Sequence, residues 1–202
     1  MKIQRTPILL FTIAALLGGV TYLTVQNAAQ QAAAPAAQKL FPFQESDVQA
    51  LTIQTPLQRT AFVKVPSAAK TSPAPTTWQM TEPEKAAASD GSIAFLLNLL
   101  GMGTSEKTLT IPVNRLAEFG FDPPQATIEI TLANQQKHRL VLGTPDFNRS
   151  FLYAQIDPPA NSTQAQTIHL VSLDFENAVN RPIEEWKQQA ADKPQPPQLP
   201  SP

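Results

Sequence analysis

"ATIEITLANQQKHRLVLG", residues 126–143, decides the fold. Ile128, Ile130 and Leu132 alternate with Thr127, Glu129 and Thr131, the period-two pattern of a strand with one buried and one wet face. The turn "ANQQ" then sends the chain back as "KHRLVLG", so a hairpin is predicted.

The same pattern recurs on both sides. Upstream, "DVQALTIQT" (47–55), "QRTAFVKV" (58–65) and "TTWQM" (76–80) read as strands. "SDGSIAFLLNLLGMG" then changes period. Ile93, Leu96, Leu97 and Leu100 mark one helix face, Ser89 or Asp90 is the N-cap, and Gly101 and Gly103 stop the helix. Between the halves lie a strand, "KTLTI", and a helical turn, "VNRLAEFGFDPP". Downstream, "SFLYAQI" and "QTIHLV" are strands. "SLDFENAVN" is a short helix capped by Ser172, with Phe175, Ala178 and Val179 inward. Trp78, Phe95, Phe121, Phe151 and Tyr153 are expected in the core. The predicted class is α+β, antiparallel strand meanders with helices packed on one face. Its two β-β-β-α units suggest an internal duplication.

The N-terminus sets the location. From Pro7 to Val25 no side chain ionises except the phenol of Tyr22. As a helix this stretch spans about 28 Å, close to the hydrocarbon core of a bilayer. Lys2 and Arg5 precede it and no Lys or Arg follows until Lys39, which leaves the N-terminus in the cytoplasm and carries the rest across. The competing reading is a cleaved secretory signal, for which "AAQQAAAPA" offers small-residue cutting sites. The expected organisation is a cytoplasmic N-terminus (1–6), a transmembrane helix (7–25), a Gln/Ala-rich linker (26–39), an exported domain (40–187) and a Pro-rich tail (188–202). Five of the 20 prolines fall in "KPQPPQLPSP", a composition that favours a solvated, extended tail.

Composition narrows the role. The chain has 202 residues, 15 Lys+Arg against 16 Asp+Glu and a net charge of −1, a balance unlike that of a nucleic-acid binder. It has no cysteine, so no thiolate nucleophile, disulfide or Cys-based metal site. A metal site at His138 and His169, the only histidines, would need neighbouring strands facing one pocket and a nearby carboxylate. "GMG" lacks the lysine of a phosphate loop, and there is no Gly-x-Ser-x-Gly elbow. No catalytic residue, cofactor or metal site is assigned. The candidate partner contacts are two loops at opposite ends of one strand. "GTPDFNRS" carries Asp146, Phe147, Asn148 and Arg149, and "IDPPANSTQ" carries Asp157, Pro158 and Pro159.

The order "FPFQESDVQALTI", "WQMTEP", a Leu-rich helix, "LAEFGFDPPQATIEITL", "HRLVLGTP", "FLYAQI" and "IHLV" resembles the domain-of-unknown-function family numbered 4340, over about residues 40–187. "EFGFDPPQATIEI" is its most specific phrase, and Phe121 departs from the Leu usual after that glycine. The resemblance implies a membrane-anchored envelope protein, in some members linked to transport or gliding components, and brings no catalytic residues. The compact, Gln-rich build looks most like cyanobacterial members, for which the exported side is the thylakoid lumen or the periplasm.

The expected role is therefore a non-enzymatic, membrane-tethered domain that binds or helps assemble a membrane protein complex. The alternative is an envelope enzyme or solute-binding domain acting on a glycan or small ligand. The anchor has a direct test. The protein should stay in the membrane fraction through an alkaline carbonate wash with its N-terminus intact; a soluble form beginning near residues 30–35 would identify a cleaved signal.

Overall fold

The computed structural model describes residues 38–66, 76–160 and 162–189. The predicted membrane segment (7–25), most of the linker and the tail from residue 190 lie outside the described residues. No described helix is long and apolar enough to cross a membrane.

The strands are β1 (Gln38–Lys39), β2 (Val48–Gln54), β3 (Arg59–Pro66), β4 (Thr76–Glu82), β5 (Ala86–Ala87), β6 (Thr104–Ser105), β7 (Lys107–Ile111), β8 (Ala126–Leu132), β9 (Lys137–Pro145), β10 (Phe151–Ile156) and β11 (Gln166–Ser172). Among the described residues, nine of them form one sheet in the order β5-β4-β3-β2-β8-β9-β10-β11-β7, antiparallel throughout, while β1 pairs only with β6. The chain is thus sheet-rich α+β. Its centre is the β2–β8 pair, where Leu51 faces Ile130 and Ile53 faces Ile128. From that pair one meander runs outward through β3, β4 and β5, and the other runs the opposite way through β9, β10 and β11.

The predicted alternation holds along β8. Ala126, Ile128, Ile130 and Leu132 are buried, whereas Thr127, Glu129 and Thr131 are not. A register shift between Val48 and Ala50 lets Val48 and Leu51, three residues apart, point into the same core. Helices α1 (Asp90–Met102), α2 (Asp174–Val179) and α3 (Ile183–Trp186) supply the other side of that core. α1 buries Ile93, Leu96, Leu97 and Leu100, the predicted face, and its N-cap is Ser89, whose hydroxyl accepts from Ser92 N at 3.3 Å.

Several expectations are corrected. Phe95 is 39% exposed, because its position in α1 turns it away from the Leu/Ile face and under the Arg181 guanidinium, 5.3 Å from the ring centroid. Phe121, Phe151 and Tyr153 are only half-buried. The N-cap of α2 is Leu173, one residue after Ser172, although the Ser172 hydroxyl still accepts from Asp174 N at 3.1 Å. Gln38 and Lys39, inside the predicted linker, form β1. α3 had no periodic signal, yet it buries Trp186 against Phe62 at 5.1 Å between ring centroids. Beyond α3, Lys187 bridges to Ala88 and Gln188 N donates to Ala87 O at 2.8 Å, so this segment lines the outer side of the β5 edge.

Not every helical turn lies on the α-helical face. The 3-10 turn Val113–Phe119 covers the opposite face of the second meander, where Phe119 meets the Tyr153 ring edge-on at 4.9 Å. Gly120 ends this turn with φ +77°, a left-handed conformation that costs glycine little. Gly143, in β9, lets the turn lie close. A Cβ there would collide with the Phe119 carbonyl oxygen and press on the Phe121 ring at 3.1 Å. The phrase "EFGFDPP" is therefore a cover strip whose fit depends on a glycine in a different element. Gly143→Ala should cost about 1–3 kcal/mol by overpacking. Chemical denaturation would read this as a lower midpoint with an unchanged slope; an unshifted midpoint would mean that the strip is not seated on β9.

Candidate functional site

With the second meander covered by the 3-10 turn, the face away from the α-helices is open over β2, β8 and the start of β9. Register decides what meets there. Thr52 faces Glu129 and Glu129 faces Arg139, while Ala50 faces Thr131 and Thr131 faces Lys137. Two cross-strand rows result, small side chains at one end and long charged ones at the other. They floor an open basin of 710 Å³, walled by Asp157 and Pro158.

The wall is pinned by one carboxylate. Asp157 sits just past β10 with φ +44°, a conformation that an L side chain rarely adopts. Three hydrogen bonds hold it there. Its own N–H donates to Arg139 O at 2.8 Å, its Oδ1 accepts from Arg139 N at 2.6 Å, and its Oδ2 lies 2.8 Å from His138 Nδ1. An ionised carboxylate only accepts, so with Asp157 ionised Nδ1 carries the proton. The imidazole also packs against Phe41 and Phe43, with centroids 5.4 and 5.6 Å away. His138 is thereby fixed in position and only 19% exposed along its side chain. On the basin floor Arg139 pairs with Glu129 at 3.1 Å, both about half exposed, so that pair contributes little to stability.

The structure separates the two predicted contact loops. Asp157, Pro158 and Pro159 follow β10, and Asp146, Phe147, Asn148 and Arg149 precede it, so they lie at opposite ends of the sheet. Asp146 is structural. Its Oδ1 accepts from Ser150 N at 2.7 Å and Phe151 N at 2.9 Å, and Arg149 closes the turn with φ +52°. Phe147 is 98% exposed at the tip, and Arg149 reaches Glu176 at 3.4 Å.

The histidines do not meet either. β10 lies between β9 and β11, and His169 Nδ1 is 3.2 Å from Ser105 Oγ rather than near His138. The described residues contain no group of three His, Cys, Asp or Glu side chains placed to hold a metal ion. Sequence reasoning assigned no role to Lys137, His138, Arg139 or Glu129. Their juxtaposition follows from a register spanning three strands, for which the linear sequence carries no spacing signal.

The family described as "Domain of unknown function (DUF4340)" matches residues 78–198. The chain belongs to the DUF4340 family. The match starts at Trp78, so β2 and β3 precede the matched part, and it runs past residue 187, where the resemblance was expected to end. No curated protein matches the chain, and no solved structure does. The basin straddles the boundary of the DUF4340 match: Ala50 and Thr52 lie before it, and the residues from β8, β9 and the Asp157 loop lie within it.

His169 gives the domain a defined acid response. Burial lowers its pKa below the ordinary histidine value of 6.5. Between the folded and unfolded values the unfolded chain binds more protons, so stability is fully present above about pH 6.5 and falls as the pH drops toward the folded value. His169→Gln removes this contribution and keeps a polar partner for Ser105. Melting curves at pH 7.5 and 5.5 should show a smaller acid-induced drop in the variant; equal drops would show that His169 does not set it.

Proposed function

We propose that this DUF4340 member is a non-enzymatic, membrane-tethered domain that binds, or helps assemble, a membrane protein complex on the non-cytoplasmic side, in the periplasm or thylakoid lumen. The observation that carries the reading is the open basin with its pinned wall. Drug-sized ligands are usually held in concave sites that bury most of their surface. An open, polar surface on a sheet suits a protein partner, whose polar groups can answer the Glu129–Arg139 row and Lys137. The location rests on the apolar stretch 7–25 and the cations before it. The meanders that leave the β2–β8 pair in opposite directions support an origin by duplication.

A second reading, a domain that binds a glycan or small ligand, draws support from the same basin. The Thr52 and Thr131 hydroxyls lie beside a carboxylate and a guanidinium, groups that bind sugar hydroxyls.

One variant separates the two. Lys137→Glu with Arg139→Glu reverses two exposed charges outside the core. It should weaken recovery of the protein that co-purifies with the full chain from solubilised membranes by about tenfold or more, equivalent to about 1.4 kcal/mol. Unchanged recovery with a normal melting curve would remove the basin as the protein contact and promote the glycan reading.

A further inference from the structure

The pole opposite the Asp157 loop carries two fully exposed apolar side chains. Leu57, in the β2–β3 turn, is 96% exposed and Phe147, in the β9–β10 turn, is 98% exposed. They share that pole by register. Gln54, at the end of β2, faces Thr127 of β8, and Ala126 of β8 faces Leu142 near the end of β9. Three strand spacings separate the turns, or roughly 14 Å.

Both tips are held rigidly. Thr55 Oγ1 accepts from Leu57 N at 3.3 Å and Gln58 N at 3.1 Å, and Thr55 N donates to Gln58 O at 2.9 Å. Gln58 Nε2 ties this turn to Arg181 O at 2.9 Å. The Asp146 carboxylate does the same for the other tip. The turns therefore hold these side chains in water by construction, at a hydrophobic cost that folding does not recover.

We propose that this pole rests on the lipid surface of the membrane to which the chain is tethered, with Leu57 and Phe147 inserted at the headgroup–acyl boundary. The proposal goes beyond the assembly role but rests on the same reading of residues 7–25 as a membrane segment. Three features favour lipid over protein. The apolar groups are single, convex and widely spaced, whereas a protein hot spot is a clustered, well-packed patch. The cations that flank the two turns in sequence are partnered, Arg59 with Glu82 at 2.7 Å and Arg149 with Glu176 at 3.4 Å, so the pole suits a lipid surface without strong charge. On the same reading, only residues 26–37 separate the membrane segment from β1 in sequence, which raises the effective concentration of bilayer surface at the domain. Such docking turns the Asp157 loop away from the membrane and leaves the basin free for a partner.

The absence of cysteine makes the test direct. Pro56→Cys, Asn148→Cys and, at the other pole, Ala160→Cys place single thiols at exposed positions and keep both apolar tips. Each full-length variant is labelled with an environment-sensitive nitrobenzoxadiazole dye and reconstituted into phosphatidylcholine vesicles containing nitroxide lipid. Labels at 56 and 148 should shift to the blue and be quenched by the lipid nitroxide, whereas the label at 160 should do neither. Adding Leu57→Ser and Phe147→Ser should abolish both effects. If 56 and 148 behave like 160, or the double serine variant changes nothing, the proposal is overturned. Burial of both labels in native membranes but not in lipid vesicles would assign the pole to a protein and also overturn it. A chain released by carbonate would refute the anchor alone. The tips are then tested by adding vesicles to the soluble full chain, where quenching at 56 and 148 upholds the lipid contact and its absence overturns it.

Discussion

The fold depends on the antiparallel pairing of β2 with β8. This contact joins segments far apart in sequence, and each of the two meanders is otherwise built from neighbours. Its register decides which side chains face α1. A one-residue slip would turn Leu51 and Ile53 outward and bring Ala50 and Thr52 into the core. The β-bulge at Gln49 confines that risk by giving β2 a single register that buries Val48, Leu51 and Ile53 together. The same pairing builds the basin floor, because Thr52 and Ala50 reach the β8 and β9 charges only in this register.

Most of the sheet was legible because its strands alternate cleanly and its turns are polar. β8, β9 and α1 bury the residues their periods indicate. What escaped had physical reasons. β1, β5 and β6 are two-residue pairings, too short for any period to show. α3 is a single turn whose only strong contribution is Trp186, and one buried aromatic carries no phase information. Aromatic character suggests burial for Phe95, but its helical position turns it off the Ile93/Leu97/Leu100 face, so it is 39% exposed. The two candidate loops stand out by composition. The charged rows beside one of them were not, because cross-strand neighbours depend on hairpin geometry and not on spacing.

The two ends of the strands have different chemistry. One holds a carboxylate that fixes a backbone turn, a histidine and a wall of the basin at once, so local charge and shape are coupled there. The other holds paired ions around two apolar tips. A domain with two such ends can bridge two different environments, and the stiffness of an antiparallel sheet keeps the distance between them constant.

The segment after α3 has a consequence beyond packing. An open sheet must end somewhere, and an unfinished edge is a template for another chain. Here β5 is only two residues long, and Lys187 lies opposite Ala88, with Gln188 N donating to Ala87 O and Ser89 N donating to Trp186 O on either side. Lys187 and Gln188 thus act as a selvedge, the bound margin that keeps a fabric from unravelling or being stitched to its neighbour. A chain cut short just after Trp186 would keep its apolar core and still lose its protection against sheet-to-sheet polymerisation.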